Sequence, residues 1–311
     1  MALASLGIGT VVGLTGMGGG ALMTPVLVLF FNVSAPAAVS SDLLASAVMK
    51  PVGSIVHLRA GTVRMDLVRW LCIGSVPTAF CGVLIAHLLG NGSSFENAVK
   101  IALGSALILA AAGLFLRAYL RLAERARHRD GSRPADPRGR PELVVKPGQT
   151  LILGAVGGLV VGMTSVGSGS IMIVTLMLLY PTLRASELVG TDLVQSVPLV
   201  ASAALGQVIF GNLQLSITAA LLVGGVPGAY LGARLSSRLP GALIRRALAF
   251  VLLASSLKLF DVSTTWTLVA LGTLAVLAGP VWMALRHAHG FPALPKHERL
   301  DLDAETVGAE P

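Results

Sequence analysis

Apolar residues along this chain come in long uninterrupted stretches parted by short polar breaks, without the strict alternation of a half-buried strand. The stretches run approximately over 2–31, 37–57, 70–90, 98–117, 150–180, 187–209, 214–234, 244–260 and 265–285. A helix needs about 20 residues to cross a bilayer, so most of these predict one crossing each. Stretches 2–31 and 150–180 are too long for one ordinary span and too short for two, and each carries a glycine cluster at its middle. Those are the two places where a helix is expected to break. With 54% apolar and only 12% charged residues, and a mean hydropathy of +0.80, a soluble domain is excluded, since soluble domains carry about 25% charge. Continuous runs also favour helices over an outer-membrane barrel, whose strands alternate. The first stretch has no charged leader and passes straight into glycines, so it reads as structure and not as a cleaved signal peptide.

The two anomalous stretches belong to an internal repeat. Val12-Gly-Leu-Thr-Gly-Met-Gly-Gly-Gly20 corresponds to Val161-Gly-Met-Thr-Ser-Val-Gly-Ser-Gly169, and one residue of slip later Ser41-Asp-Leu matches Thr191-Asp-Leu. In that register His57 falls on Gln207, Gly61 on Gly211, Gly74-Ser-Val-Pro77 on Gly224-Gly-Val-Pro227, and Gly82 on Gly232. The second copy has Ser165, Ser168 and Val174 where Gly16, Gly19 and Pro25 stand in the first. The expected organisation is a first membrane repeat over 1–127, a linker over 128–149 rich in Arg, Pro and Gly, and a second repeat over 150–260. An extra transmembrane helix follows over 261–286, then a flexible tail over 287–311.

The net charge of +8 matters through its placement. If each glycine-rich stretch crosses once, the copies point the same way and the basic clusters divide between the two faces. If each dips in and returns, the copies are inverted, and all but three of the 23 lysines and arginines fall in cytoplasmic segments. The positive-inside bias favours the second arrangement. The expected fold is therefore an all-α polytopic membrane protein of two inverted repeats. Each repeat is a broken, re-entrant glycine-rich segment plus three transmembrane helices. The basic linker reads as an ordinary cytoplasmic loop, with no nucleic acid as partner.

A broken helix at membrane depth bares backbone N–H and C=O groups, which is tolerable only inside protein or along a wet cavity. Helix N-termini there favour an anion. Gly16, Gly18, Gly19 and Gly20, with Ser165, Gly167, Ser168 and Gly169 opposite, are the candidate binding residues, against the plainer reading that the glycines only allow close helix packing. Lys50 lies deep in its span where the second copy has apolar Val200, and a cation there calls for a counter-charge or an anionic substrate, or else snorkels to an interface. Asp42, Asp192 and His57 are candidates for coupling, or else two polar caps and an interfacial histidine. Pro77 and Pro227 are candidate flexing points, with Gly74 and Gly224 giving room. Cys72 and Cys81 share one span and read as packing residues. No metal-binding or nucleophilic motif stands out, so neither an enzyme nor a cofactor is expected.

Gly13-Leu-Thr-Gly-Met-Gly-Gly-Gly-Ala-Leu-Met-Thr-Pro25, Ser41-Asp-Leu, Gly190-Thr-Asp-Leu, His57-Leu-Arg-Ala-Gly-Thr-Val63, Gly211-Asn-Leu213 and the paired Gly-x-Val-Pro segments together resemble the sulfite exporter TauE/SafE family, in the toluene sulfonate uptake permease group. The resemblance reaches to about residue 260. It implies transport of small sulfur-containing anions such as sulfite or organosulfonates across a bacterial or archaeal inner membrane. Export is the expected direction. The rival expectations are an anion channel and a membrane-embedded partner of a sulfur-metabolism enzyme. The partners expected are a small anion and the bilayer, with homo-oligomerisation left open.

Overall fold

The computed structural model describes residues 1–15, 19–88, 93–129, 144–167, 169, 171–181, 183, 185–211, 214–235 and 241–288. Among them are eleven helices: α1 (Ala2–Thr15), α2 (Gly20–Phe31), α3 (Ala35–Arg59), α4 (Met65–Leu88), α5 (Ser93–Arg129), α6 (Pro147–Thr164), α7 (Ile171–Leu179), α8 (Ala185–Phe210), α9 (Leu215–Leu235), α10 (Gly241–Leu259) and α11 (Thr264–Ala288). No strand occurs among the described residues, only an isolated bridge between Gly167 and Gly169. Helices satisfy every backbone group within one segment, which is why apolar sequence of this length adopts them in lipid. Seven of the described helices are long and apolar enough to span a membrane, so the chain is a multi-pass membrane protein. Both 30-residue stretches are broken, between α1 and α2 and between α6 and α7.

Small residues hold the first compact unit, residues 1–115 and 142–262, together. Lipid gives no hydrophobic drive between helices, so association rests on close packing, and glycine lets two backbones approach. A Cβ at Gly74 or Gly154 would collide with the backbone of the facing helix, α6 for the first and α4 for the second. The same contact recurs in the other copy, where a Cβ on Gly224 of α9 would strike Ala2 of α1, and one on Gly9 would come within 2.5 Å of the Gly225 carbonyl. The correspondence is residue by residue. Gly154 of α6 faces the Leu71 carbonyl. At the equivalent place in α1, Ser5 Oγ donates to the Leu221 carbonyl at 2.7 Å. Thus each copy lends its first helix to the fourth helix of the other, α1 to α9 and α6 to α4. The room beside Gly74 and Gly224, in helices that also contain Pro77 and Pro227, is filled by that neighbour's backbone.

The directions of the central helices follow from their contacts. Ser54 Oγ of α3 donates to the Leu193 carbonyl of α8 at 2.9 Å, whereas at the far end Pro36 and Val39 line a crevice with Gln207 and Phe210. Residue numbers rise along one helix as they fall along the other, so α3 and α8 run antiparallel. Along α4 and α8 they rise together. Ser75 Oγ reaches Gln195 Oε1 at 3.3 Å, Ser202 Oγ the Val76 carbonyl at 2.7 Å, and Phe80 the ring of Phe210 at 5.9 Å between centroids. A buried core of Val39, Leu43, Leu67, Leu71, Leu176 and Leu199 packs between these helices and α7.

Among the described residues, 116–129 and 263–288 form a second compact unit. In it Trp282 and Leu285 of α11 pack on Leu122 of α5. Large apolar side chains on α11, such as Trp266 and Val276, are exposed, as lipid-facing positions are.

Candidate functional site

The second break is built from a left-handed stop. Ser165 caps α6 at φ 59°, with its N–H on the Val161 carbonyl at 2.7 Å. Gly167 at φ 130° and Gly169 at φ 93° follow, conformations that only glycine takes without strain. Val166 N–H donates to Thr164 Oγ1 at 3.2 Å before α7 starts at Ile171. In the first break Gly19 precedes α2, and its carbonyl accepts the N–H groups of Leu22 and Met23 at 3.0 and 2.9 Å.

The two breaks touch. Gly20, the first residue of α2, packs so closely on the Ser165 carbonyl that a Cβ would overlap it. Beside this junction lies Asp42 of α3, fully buried. Its Oδ2 accepts hydrogen bonds from Ser165 Oγ and, at 3.4 Å, from Thr24 Oγ1 of α2. Its Oδ1 has no hydrogen-bond partner among the described residues, and nor do the hydroxyls of Ser40 and Ser41. Buried polar groups are nearly always paired, so three such atoms on consecutive residues mark this turn of α3 as unusual.

Of the residues singled out by sequence, Gly19, Gly20, Ser165, Gly167, Gly169 and Asp42 are placed at or beside the junction. Gly16, Gly18 and Ser168 lie outside the described residues. Lys50 is two turns along α3 from Asp42 and buried, and its charge interacts with Asp192 foremost and with Asp42 after it. Asp192 of α8 is buried and takes Gln195 Nε2 on Oδ1 at 3.2 Å. Ser75 of α4 holds the same Gln195. His57 stands away from the breaks at the end of α3, its Nδ1 2.9 Å from Thr62 Oγ1. Pro77 and Pro227 lie inside α4 and α9.

Three features escaped sequence reasoning. Thr24 and Gln195 carry no signal beyond being polar within apolar helices. Arg64, legible only as one more basic residue near a face, makes a largely enclosed ion pair, Nη1 to Glu187 Oε1 at 3.8 Å, with side chains 11% and 8% exposed. Its backbone N–H also donates to Thr191 Oγ1 at 3.1 Å. This latch joins the α3–α4 connection to the start of α8. At the other end of α3 and α8 a crevice opens instead, lined by His87, Gln207, Phe210 and Met163 among others.

Two broken helices meet at buried polar groups inside a multi-pass helical bundle, an arrangement found at the sites of membrane transporters. The chain belongs to the sulfite exporter TauE/SafE family, whose model matches residues 1–259. It is similar to the probable membrane transporter protein YjnA of Bacillus subtilis (strain 168), 34% identical over 264 residues that cover 83% of this chain and 97% of the relative. A second relative, the probable membrane transporter protein YdhB of the same organism, is 24% identical over 251 residues, covering 78% of this chain and 91% of the relative. No solved structure matches significantly.

Proposed function

We propose that this transporter moves small sulfur-containing oxyanions, sulfite or organosulfonates, outward across the cytoplasmic membrane, and holds them where the two breaks meet. The observation that carries this reading is the contact of Gly20 with Ser165, which brings the start of α2 to the hydroxyl-bearing end of α6. The first N–H groups of a helix lack intrahelical acceptors and carry its positive end, a natural seat for an oxyanion. Lys50 supplies the positive charge at depth, balanced between substrate and Asp192. Sulfur oxyanions follow from the family's name. Proteoliposomes loaded in turn with sulfite, sulfoacetate and thiosulfate test the reading. Saturable flux, accelerated by the same anion on the far side, is expected for at least one of them. Unsaturable flux indifferent to counter-substrate would make the protein a channel, and no flux of any would leave the partner of a sulfur-metabolism enzyme.

The copies are proposed to be inverted across the membrane and to give alternating access by moving against each other. The antiparallel course of the equivalent helices α3 and α8 supports this, as do an enclosed latch at one end of the pair and a crevice at the other. Removing one partner of a buried ion pair costs about 3–5 kcal/mol, enough to move a two-state equilibrium at least tenfold. Glu187→Gln is therefore expected to open the latched end, and a cysteine at buried Ser54 should react with maleimide at least about tenfold faster in that variant. An unchanged rate would show that the latch does not hold the closed side.

A further inference from the structure

Asp42, Asp192 and His57 differ sharply in their surroundings. Asp192 Oδ1 is occupied by Gln195, and Asp192 is the carboxylate that acts most on Lys50. His57 is tied to Thr62 in the α3–α4 connection. Asp42 alone of the three borders both breaks, with one oxygen engaged by a residue of each copy and the other bare. The bare Oδ1 points toward the start of α2, 3.7 Å from where a Cβ on Gly19 would stand.

We infer that Asp42 binds the proton that accompanies the anion through this transporter, Oδ1 being the atom that takes it up. The inference rests on the anion seat proposed above. An ionised carboxylate at that distance from the start of α2 repels an oxyanion placed there, and the burial of Asp42 weakens the screening of that repulsion. A proton arriving from water adds to Oδ1 and leaves a neutral carboxylic acid whose new O–H can donate to the anion. Oδ2 keeps its hydrogen bonds from Ser165 and Thr24. Among the described residues Asp42 faces two hydroxyls that donate to Oδ2, from α2 and from the second break, and the cation of Lys50 on its own helix, none of which supplies a hydrogen bond to Oδ1. That cation is shared with Asp192. Proton and anion therefore load together from either face, and the seat empties when Asp42 gives its proton to the opposite side. An oxyanion dianion leaving the cell by this route still carries net negative charge outward, so the membrane potential drives its export.

Asp42→Asn tests the inference, because the amide keeps the shape and the donor of the protonated acid but cannot release a proton. Proteoliposomes are loaded with sulfite, sulfoacetate or thiosulfate, and exchange without a gradient is compared with accumulation driven by an acid exterior. Wild-type vesicles are expected to do both. Asp42→Asn vesicles are expected to lose gradient-driven accumulation at least about tenfold more than they lose exchange, while Gly53→Ala, where a Cβ meets nothing within 4 Å, loses neither. Accumulation that survives Asp42→Asn overturns the proton role, and so does a wild type that exchanges anion but ignores the gradient. Lack of exchange in the wild type for all three anions removes the anion seat, and the inference with it. Should Asp42→Asn not fold, a pH-sensitive dye on the wild type decides. External alkalinisation after a pulse of thiosulfate, which does not titrate near neutrality, supports the inference, and its absence overturns it.

Discussion

Gly20→Ala is expected to abolish transport, reducing anion flux in proteoliposomes to less than about a tenth of wild type, while the variant still inserts in the membrane. The added methyl has nowhere to go, because the Ser165 carbonyl already occupies the position of its Cβ. Backbone faces backbone on both sides, so neither partner can turn a rotamer to make room. Overpacking of this kind costs typically 1–3 kcal/mol, and here any relief must part the two breaks that form the proposed seat. Gly7→Ala and Gly53→Ala are the controls, since a Cβ at either meets nothing within 4 Å. Both are expected to transport at wild-type rates. Near-normal flux in Gly20→Ala would mean that the contact between the breaks is dispensable.

Lys50→Ala should be equally severe for a different reason. The ammonium is buried, and its charge is balanced by Asp192 and Asp42. Taking it away leaves buried Asp192 without the cation that acts on it, and stranding a buried charge costs about 3–5 kcal/mol. Flux is expected to vanish, and thermal stability in detergent to fall by roughly 6 °C or more, at 2–4 °C per kcal/mol for a unit of this size. Adding Asp192→Asn removes the orphaned charge, so the double variant should recover most of the lost stability. Flux, however, should stay absent, because the cation proposed to meet the substrate is still missing. Recovery of both properties in the double variant would reduce Lys50 to a structural counter-ion.

Much of the architecture was legible before any coordinates. Glycines and prolines in one register disclosed the repeat, and the length of the 2–31 and 150–180 stretches disclosed where helices must break. The reason is physical: lipid demands continuous helix, so every interruption leaves a mark in the sequence. The pairing of helices between copies was not legible. Nothing in the run of residues says that α1 meets α9 or that α6 meets α4, and the substitution of Ser5 in one copy for Gly154 in the other hides the equivalence of two contacts that the fold makes plain.

The site divides in the same way. Asp42 and Lys50 could be singled out because ionisable groups are rare at membrane depth. Their partners could not. Ser165 reaches Asp42 across 123 residues of chain, and Thr24 looks like any hydroxyl in an apolar helix. Arg64 stood out only as one of several basic residues near a face, since a charge count reports where a loop lies and says nothing of Glu187 on another helix.

Opposed orientation of the two copies can be tested directly at the equivalent connections between α3 and α4 and between α8 and α9. Ala60 and Gln214 are both exposed there, and each can be replaced by cysteine after Cys72 and Cys81, the two native thiols, are changed to serine. With an impermeant maleimide on intact cells, Gln214→Cys is expected to react at once and Ala60→Cys only after the membrane is permeabilised. Reaction of both from the same side would contradict inverted repeats and, with them, two broken helices that enter from opposite faces to meet at Asp42.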